Sequence, residues 1–255
     1  MELDLKDRRA LVLGSSSGLG RAVAAGLAAE GARVAVVSRS ASRSSEACES
    51  IGAEAALVAD LTVAGEPARL VADAIAALGG LDICIVNTGG GTPGPILATD
   101  GADDAAYHAM LRPVLEISRA AAPHLVAGGD GRMIYLTARS VVEASPDLAL
   151  SSVFRSGVVA AARSLALELA PGATVNVIVT GQFATPALDR FEKARAERES
   201  VSADEIRRQH IASIPMGRLG RAEELADVAV FLASARASFV TGTVVRIDGG
   251  AVRGF

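Results

Sequence analysis

The feature that most constrains this chain is the run Gly14-Ser15-Ser16-Ser17-Gly18-Leu19-Gly20. It lies between an apolar stretch at 10–13 and a segment of helical periodicity at about 19–30. Three glycines at that spacing, in a strand-to-helix turn, do three different things. Gly14 permits a tight turn, Gly18 lets the backbone approach a pyrophosphate, and Gly20 lets the helix pack closely on the strand. Phosphates would meet free N–H groups at the helix N-terminus. Gly14, Ser16, Ser17, Gly18, Leu19 and Gly20 are therefore candidate cofactor contacts.

The alternation of buried strand and helix continues along the chain. Apolar runs at 33–37, 56–58, 82–86, 132–136, 174–179 and 244–247 read as strands. Segments at 67–78, 103–126, 151–169 and 222–233 read as helices, with Pro113 expected to kink the second of these. The pattern predicts an α/β fold: one Rossmann-type doubly wound parallel sheet in a single domain spanning 1–255. Hydrophobic residues make up 50% of the chain but aromatics only 3%, so the core must be built from Ala, Val, Leu and Ile. Such side chains suit a sheet covered by helices on both faces.

Charge and cysteine content exclude several classes. The formal net charge of −4 offers no general basic face for nucleic acid. Cys48 and Cys84 cannot build a disulfide scaffold or a Cys-rich zinc site, and they fit a reducing, cytoplasmic setting. No apolar run approaches the ~18 residues of a membrane span. The charged stretch 2–9 does not read as a secretory signal.

Past the second strand the chain reads Ser38-Arg39-Ser40, with Arg39 19 residues after Gly20. An acidic residue there would hold the ribose hydroxyls of NAD. A guanidinium flanked by hydroxyls suits the 2′-phosphate of NADP instead, with NAD as the alternative cofactor.

With these motifs in place, the sequence resembles the short-chain dehydrogenase/reductase family over nearly its whole length. The glycine pattern is matched at Gly14, Gly18 and Gly20, and the Asp beside the adenine at Asp60 in Ala59-Asp60-Leu61. The segment after the fourth strand is Asn87-Thr88-Gly89-Gly90, with Gly replacing the family's Ala. Thr180-Gly181 stands for the family's Pro-Gly, and Thr185 for its Thr near the nicotinamide carboxamide and phosphates. Pro215-Met216-Gly217-Arg218-Leu219-Gly220, Phe231-Leu232-Ala233-Ser234, Val240-Thr241-Gly242 and Asp248-Gly249-Gly250 are similar to 3-oxoacyl-ACP-reductase-type members. The resemblance implies NADP(H)-linked chemistry on a carbonyl or alcohol. It adds Asp60, Leu61, Asn87, Gly89, Arg155 and Thr185 to the cofactor contacts, and it implies a homotetramer formed through the long helices and the last strand.

The family's four catalytic positions are all altered. The Tyr falls on Ser151 and the Lys four residues on falls on Arg155. The Ser falls on Ala138 and the Asn of the long helix on Met110. Serine is a far weaker acid than tyrosine, whose reference pKa is ~10. A guanidinium can hold a ribose but stays protonated, so it relays no proton. Neither Tyr107 nor Tyr135 is followed four residues on by Lys. Three readings remain open: a divergent reductase, with Ser151 and with Arg139 or Arg155 as electrophile; an NADP(H)-binding sensor; or the partner subunit of an active relative. Segment 183–215, with its interleaved Arg and Glu, is expected to form a lid over the substrate.

Overall fold

The computed structural model describes residues 2–143 and 147–253. Seven parallel strands form one sheet: β1 (Arg9–Val12), β2 (Arg33–Ser38), β3 (Ala55–Val58), β4 (Ile83–Val86), β5 (Gly131–Ala138), β6 (Ala173–Thr180) and β7 (Val244–Ile247). Their spatial order is β3-β2-β1-β4-β5-β6-β7. The chain therefore reverses its direction of winding between β1 and β4. Ligands bind this architecture in the crevice beyond the strands' carboxyl ends at such a reversal.

The helices are α1 (Gly18–Ala29), α2 (Ala41–Ile51), α3 (Glu66–Leu78), α4 (Asp103–Met110), α5 (Arg112–Ala127), α6 (Ala149–Leu169), α7 (Pro186–Glu199), α8 (Ala203–Ala212) and α9 (Ala222–Ala233). They cover both faces of the sheet with two apolar cores. On one side Leu70, Leu78, Ile117, Leu125 and Val158 from α3, α5 and α6 pack on Leu11, Cys84 and Val175. On the other, Val23, Leu27, Leu225 and Val230 from α1 and α9 pack on Val12, Val34, Ile85 and Ile178. Small side chains let α1 and α9 approach: a Cβ on Gly26 would meet Val230 at 3.0 Å.

Two elements differ from the sequence expectation. The helix expected at 103–126 is broken at Leu111, so Pro113 does not kink a helix but sits in the first turn of α5. That turn has no intrahelical use for a proline N–H, so the residue costs nothing there. Helix α2 was not anticipated, because its sequence carries no apolar stripe. Only Ser44 and Ala47 are buried, with the Ser44 hydroxyl donating to the Leu57 carbonyl at 2.8 Å. Ser40 caps its start, and Gly52, at φ 67°, closes its end.

At the far edge of the sheet from the crevice, Arg9 forks onto Asp82 with contacts of 2.6 and 2.8 Å and ties the start of β1 to the start of β4. Burial pushes the Asp82 carboxyl up, but side-chain and backbone bonds from Arg9 more than offset this and hold it below the usual carboxylate range. A carboxylate with a depressed folded pKa stabilises above its unfolded pKa and loses that contribution as pH falls through the folded one. Asp82→Ala should therefore cost about 1–3 kcal/mol at pH 7. The cost should shrink when urea unfolding is repeated near pH 3; a deficit independent of pH would contradict the assignment.

Candidate active site

The nucleotide end of the crevice is built by close approach. Gly14 and Gly18 hold φ of 61° and 57°, which disfavour any side chain. A Cβ on Gly20 would collide with the Gly14 carbonyl and come within 3.0 Å of the Asn87 amide nitrogen. Asn87, after β4, thus seals the turn after β1. Ser15 is wholly buried and serves the frame: its hydroxyl donates to the Val12 carbonyl and accepts from the Val37 amide, both at 2.7 Å. Ser16 and Ser17 are left half-exposed at the mouth. Ser17 occupies the N-cap of α1 without a side-chain cap, so the helix end stays open. Thr185, the N-cap of α7, lies 3.5 Å from where a Gly18 Cβ would be. Two helix N-termini therefore converge on one spot, an arrangement suited to a phosphate.

At the crevice's outer end Arg39 is exposed and, among the described residues, makes no hydrogen bond or ion pair. Asp60 is fixed as an acceptor by the Thr62 hydroxyl at 2.7 Å and the Thr62 amide at 2.9 Å. Those bonds, with a lesser contribution from Arg39, keep its carboxyl below its ordinary pKa. Leu61 lies beside it, packed against the sheet core.

The catalytic end differs from the expectation in one informative respect. Ala138, at the end of β5, supplies no hydroxyl, but Ser140 turns back so that its oxygen lies 3.1 Å from that of Ser151. Ser140 is buried and Ser151 half-buried. Sequence spacing missed this pair, because it depends on how the loop after β5 returns to α6. Arg155, one helical turn beyond Ser151, donates to the Gly89 carbonyl at 2.9 Å and to the Leu136 carbonyl at 3.4 Å. Burial lowers its guanidinium pKa to about 10, so it remains charged at neutral pH.

The Met110 position is apolar. Met110 is fully buried with Ala106 and Leu150, and Phe154 packs against the cluster. Both tyrosines are engaged elsewhere. The Tyr135 hydroxyl is buried against Ser118 at 2.6 Å, and burial pushes its pKa upward. Tyr107 packs tilted against Phe154, with 6.2 Å between ring centres.

A cavity of about 250 Å³ opens next to this centre. Ala138, Arg139, Thr180 and Gly181 form its floor at the ends of β5 and β6, while Leu188, Phe191, Arg195 and His210 close it from α7 and α8. The capping helices are held by a network that sequence reasoning did not find. Buried Glu192 accepts from His210 Nδ1 at 2.9 Å and from Arg207 at 2.8 and 2.6 Å. Phe191 stacks on the His210 ring at 6.1 Å. The signal for it lay in the charges of 187–208, which the sequence alone could read only as a solvated surface.

A reversed parallel sheet, a glycine turn at the reversal and a substrate-sized cavity beside it define a nucleotide-dependent oxidoreductase. A family model described as enoyl-(acyl carrier protein) reductase matches residues 14–252. An uncharacterised oxidoreductase of Mycobacterium tuberculosis is 33% identical, over 96% of this chain and 92% of its own length. A sorbitol dehydrogenase of Cereibacter sphaeroides is 29% identical, over 96% and 98%. The crystal structure of L-sorbose reductase from Gluconobacter frateurii with NADPH and L-sorbose superposes with a TM-score of 0.93 at 26% identity, covering both chains fully. The chain belongs to the short-chain dehydrogenase/reductase family.

Gly18→Val should eliminate NADPH binding, because a side chain at this left-handed position would occupy the space of the pyrophosphate, with circular dichroism as the check that the variant still folds. Arg39→Ala should weaken NADPH by about tenfold and leave NADH unchanged, as expected for loss of one charged contact. Fluorescence titration with both nucleotides checks this; unaltered NADPH affinity in the Gly18 variant would contradict it.

Proposed function

We propose that this protein reduces a small carbonyl compound, or oxidises the corresponding alcohol, with hydroxyl and guanidinium groups in place of the family's acid. The Ser140–Ser151 pair, with Arg155 one turn away, carries this reading. The bound nicotinamide group supplies or takes the hydride. Ser151 donates a hydrogen bond to the substrate oxygen, and Ser140 fixes the direction of that hydroxyl. Arg155 holds the ribose and places positive charge near the developing alkoxide. Gly14, Ser16, Ser17, Gly18, Leu19, Gly20 and Thr185 hold the phosphates, Arg39 the 2′-phosphate, and Asp60 and Leu61 the adenine, with Asn87 and Gly89 beside the nicotinamide half. Residues 183–215 form the lid of a single domain. The proton itself comes from solvent, because neither Ser151 nor Arg155 is an acid of suitable strength.

Turnover is therefore slow. General acid–base help is typically worth about 10²–10⁴-fold, whereas positioning of the hydride donor is a separate contribution that survives. Ser151→Ala should lower the residual rate of NADPH-dependent ketone reduction by no more than about tenfold, the worth of one neutral hydrogen bond. Ala138→Ser with Ser151→Tyr and Arg155→Lys should raise it. Abolition of a brisk activity by Ser151→Ala alone would show a working alternative site and overturn the slow-turnover reading.

The protein assembles as a homotetramer in a reducing, cytoplasmic compartment. Helix α6 leaves Val153 and Leu167 56% and 83% exposed on its outer face, with Ala160 exposed between them at seven-residue spacing. Beyond the other end of the sheet, near edge strand β7, Phe239 is fully exposed. Both cysteines are free. Light scattering of the protein from a cytosolic fraction should give the mass of four chains. A monomer at micromolar concentration, or recovery in a membrane or secreted fraction, would contradict this assembly.

A further inference from the structure

The cavity's charges do not balance, and the imbalance falls on one residue. Four of its lining side chains are charged or can become so: Arg139, Asp147, Arg195 and His210. Three are matched locally. Asp147 accepts from Arg198 at 3.0 Å, Arg195 donates to Glu199 at 2.7 Å, and His210 meets Glu192 at 2.9 Å. The Arg139 side chain has no hydrogen bond or ion pair to any described residue. Glu143, four residues on, touches it only through the backbone, its amide donating to the Arg139 carbonyl at 3.0 Å.

Arg139 is only half-exposed, and it follows Ala138 on the cavity floor directly before Ser140. The walls opposite are apolar, from Leu188 and Phe191. A guanidinium in such surroundings gains most from a planar anion that it can grip with two parallel N–H bonds. One uncompensated positive charge fits a monoanion, and the geometry of the fork fits a carboxylate.

We propose that the substrate is an oxocarboxylate or hydroxycarboxylate, with its carboxylate held by Arg139 and its carbonyl or alcohol carbon presented beside Ser151. This rests on the reading of the same cavity as the substrate site. Arg139 is then a specificity residue: it selects the anionic substrate and sets which carbon faces the nicotinamide. The hydrocarbon between the two groups packs on Leu188 and Phe191.

Binding tests this without requiring turnover. 4-Oxohexanoate and its uncharged methyl ester are titrated against wild type, Arg139→Leu and Arg139→Lys, in the presence of NADPH by nucleotide fluorescence and in its absence by thermal shift. In wild type the acid should bind at least about tenfold more tightly than the ester. Arg139→Leu should bring the two to near equality, and Arg139→Lys should retain part of the preference. NADPH affinity serves as the check that each variant is folded. Equal binding of acid and ester by wild type, or an acid preference that survives Arg139→Leu, overturns the proposal. Failure of NADPH to bind at all is a different result: it overturns the functional reading, while the acid-against-ester comparison on the nucleotide-free chain still decides the role of Arg139.

Discussion

The close approach of α1 to β1 sets the rest of this molecule in place. Gly20 lies against the Gly14 carbonyl with no room for a side chain, and Asn87 closes the same contact from the end of β4. Because β1 and β4 are neighbours at the point where the winding reverses, this contact fixes both walls of the crevice at once. It also aims the open end of α1 at the N-cap of α7, two segments far apart in the chain. Helix N-termini carry partial positive charge, so their convergence favours a phosphate without any cationic side chain at the spot.

The catalytic end follows a different logic. The same frame brings residues 138, 151 and 155 to the carboxyl end of β5, where they present a methyl, a hydroxyl and a guanidinium group. Met110 packs in an apolar setting of Ala106, Leu150 and Phe154. Ser151 and Arg155 are polar, but neither is an acid of suitable strength. A site built in this way has what depends on placement and lacks what depends on proton transfer, two contributions that are separable in principle. Helices α7 and α8 are joined to each other by the Glu192–His210–Arg207 network, so they form one wall of the cavity.

Local patterns revealed most of the fold. The glycine run, the apolar strands and the β–α alternation are signals carried by neighbouring residues, and they led directly to the parallel sheet. Helix α2 escaped because its few buried residues are Ser44 and Ala47, which leave no apolar stripe to read. The break at Leu111 escaped because a proline in a helical pattern marks either a kink or a first turn, and only packing decides between them. In the site, residues 110, 138, 151 and 155 are matched to the family's catalytic positions by register alone, and that match belongs to the proposal. The Ser140–Ser151 contact was not legible, since it depends on the return path of a loop. The His210–Glu192 pair was hidden for a related reason: two turns of different helices meet only once the hairpin between them is closed.

The central claim is that the nucleotide half of the site is intact while the proton-donating half is not. A crystal structure of the chain with NADPH and a ketone inhibitor tests it most directly. The account predicts the diphosphate between the N-termini of α1 and α7, Arg155 at the nicotinamide ribose, and only the Ser151 hydroxyl within hydrogen-bond reach of the carbonyl oxygen. A histidine, tyrosine or carboxylic acid within that reach would supply the missing proton donor and contradict the account.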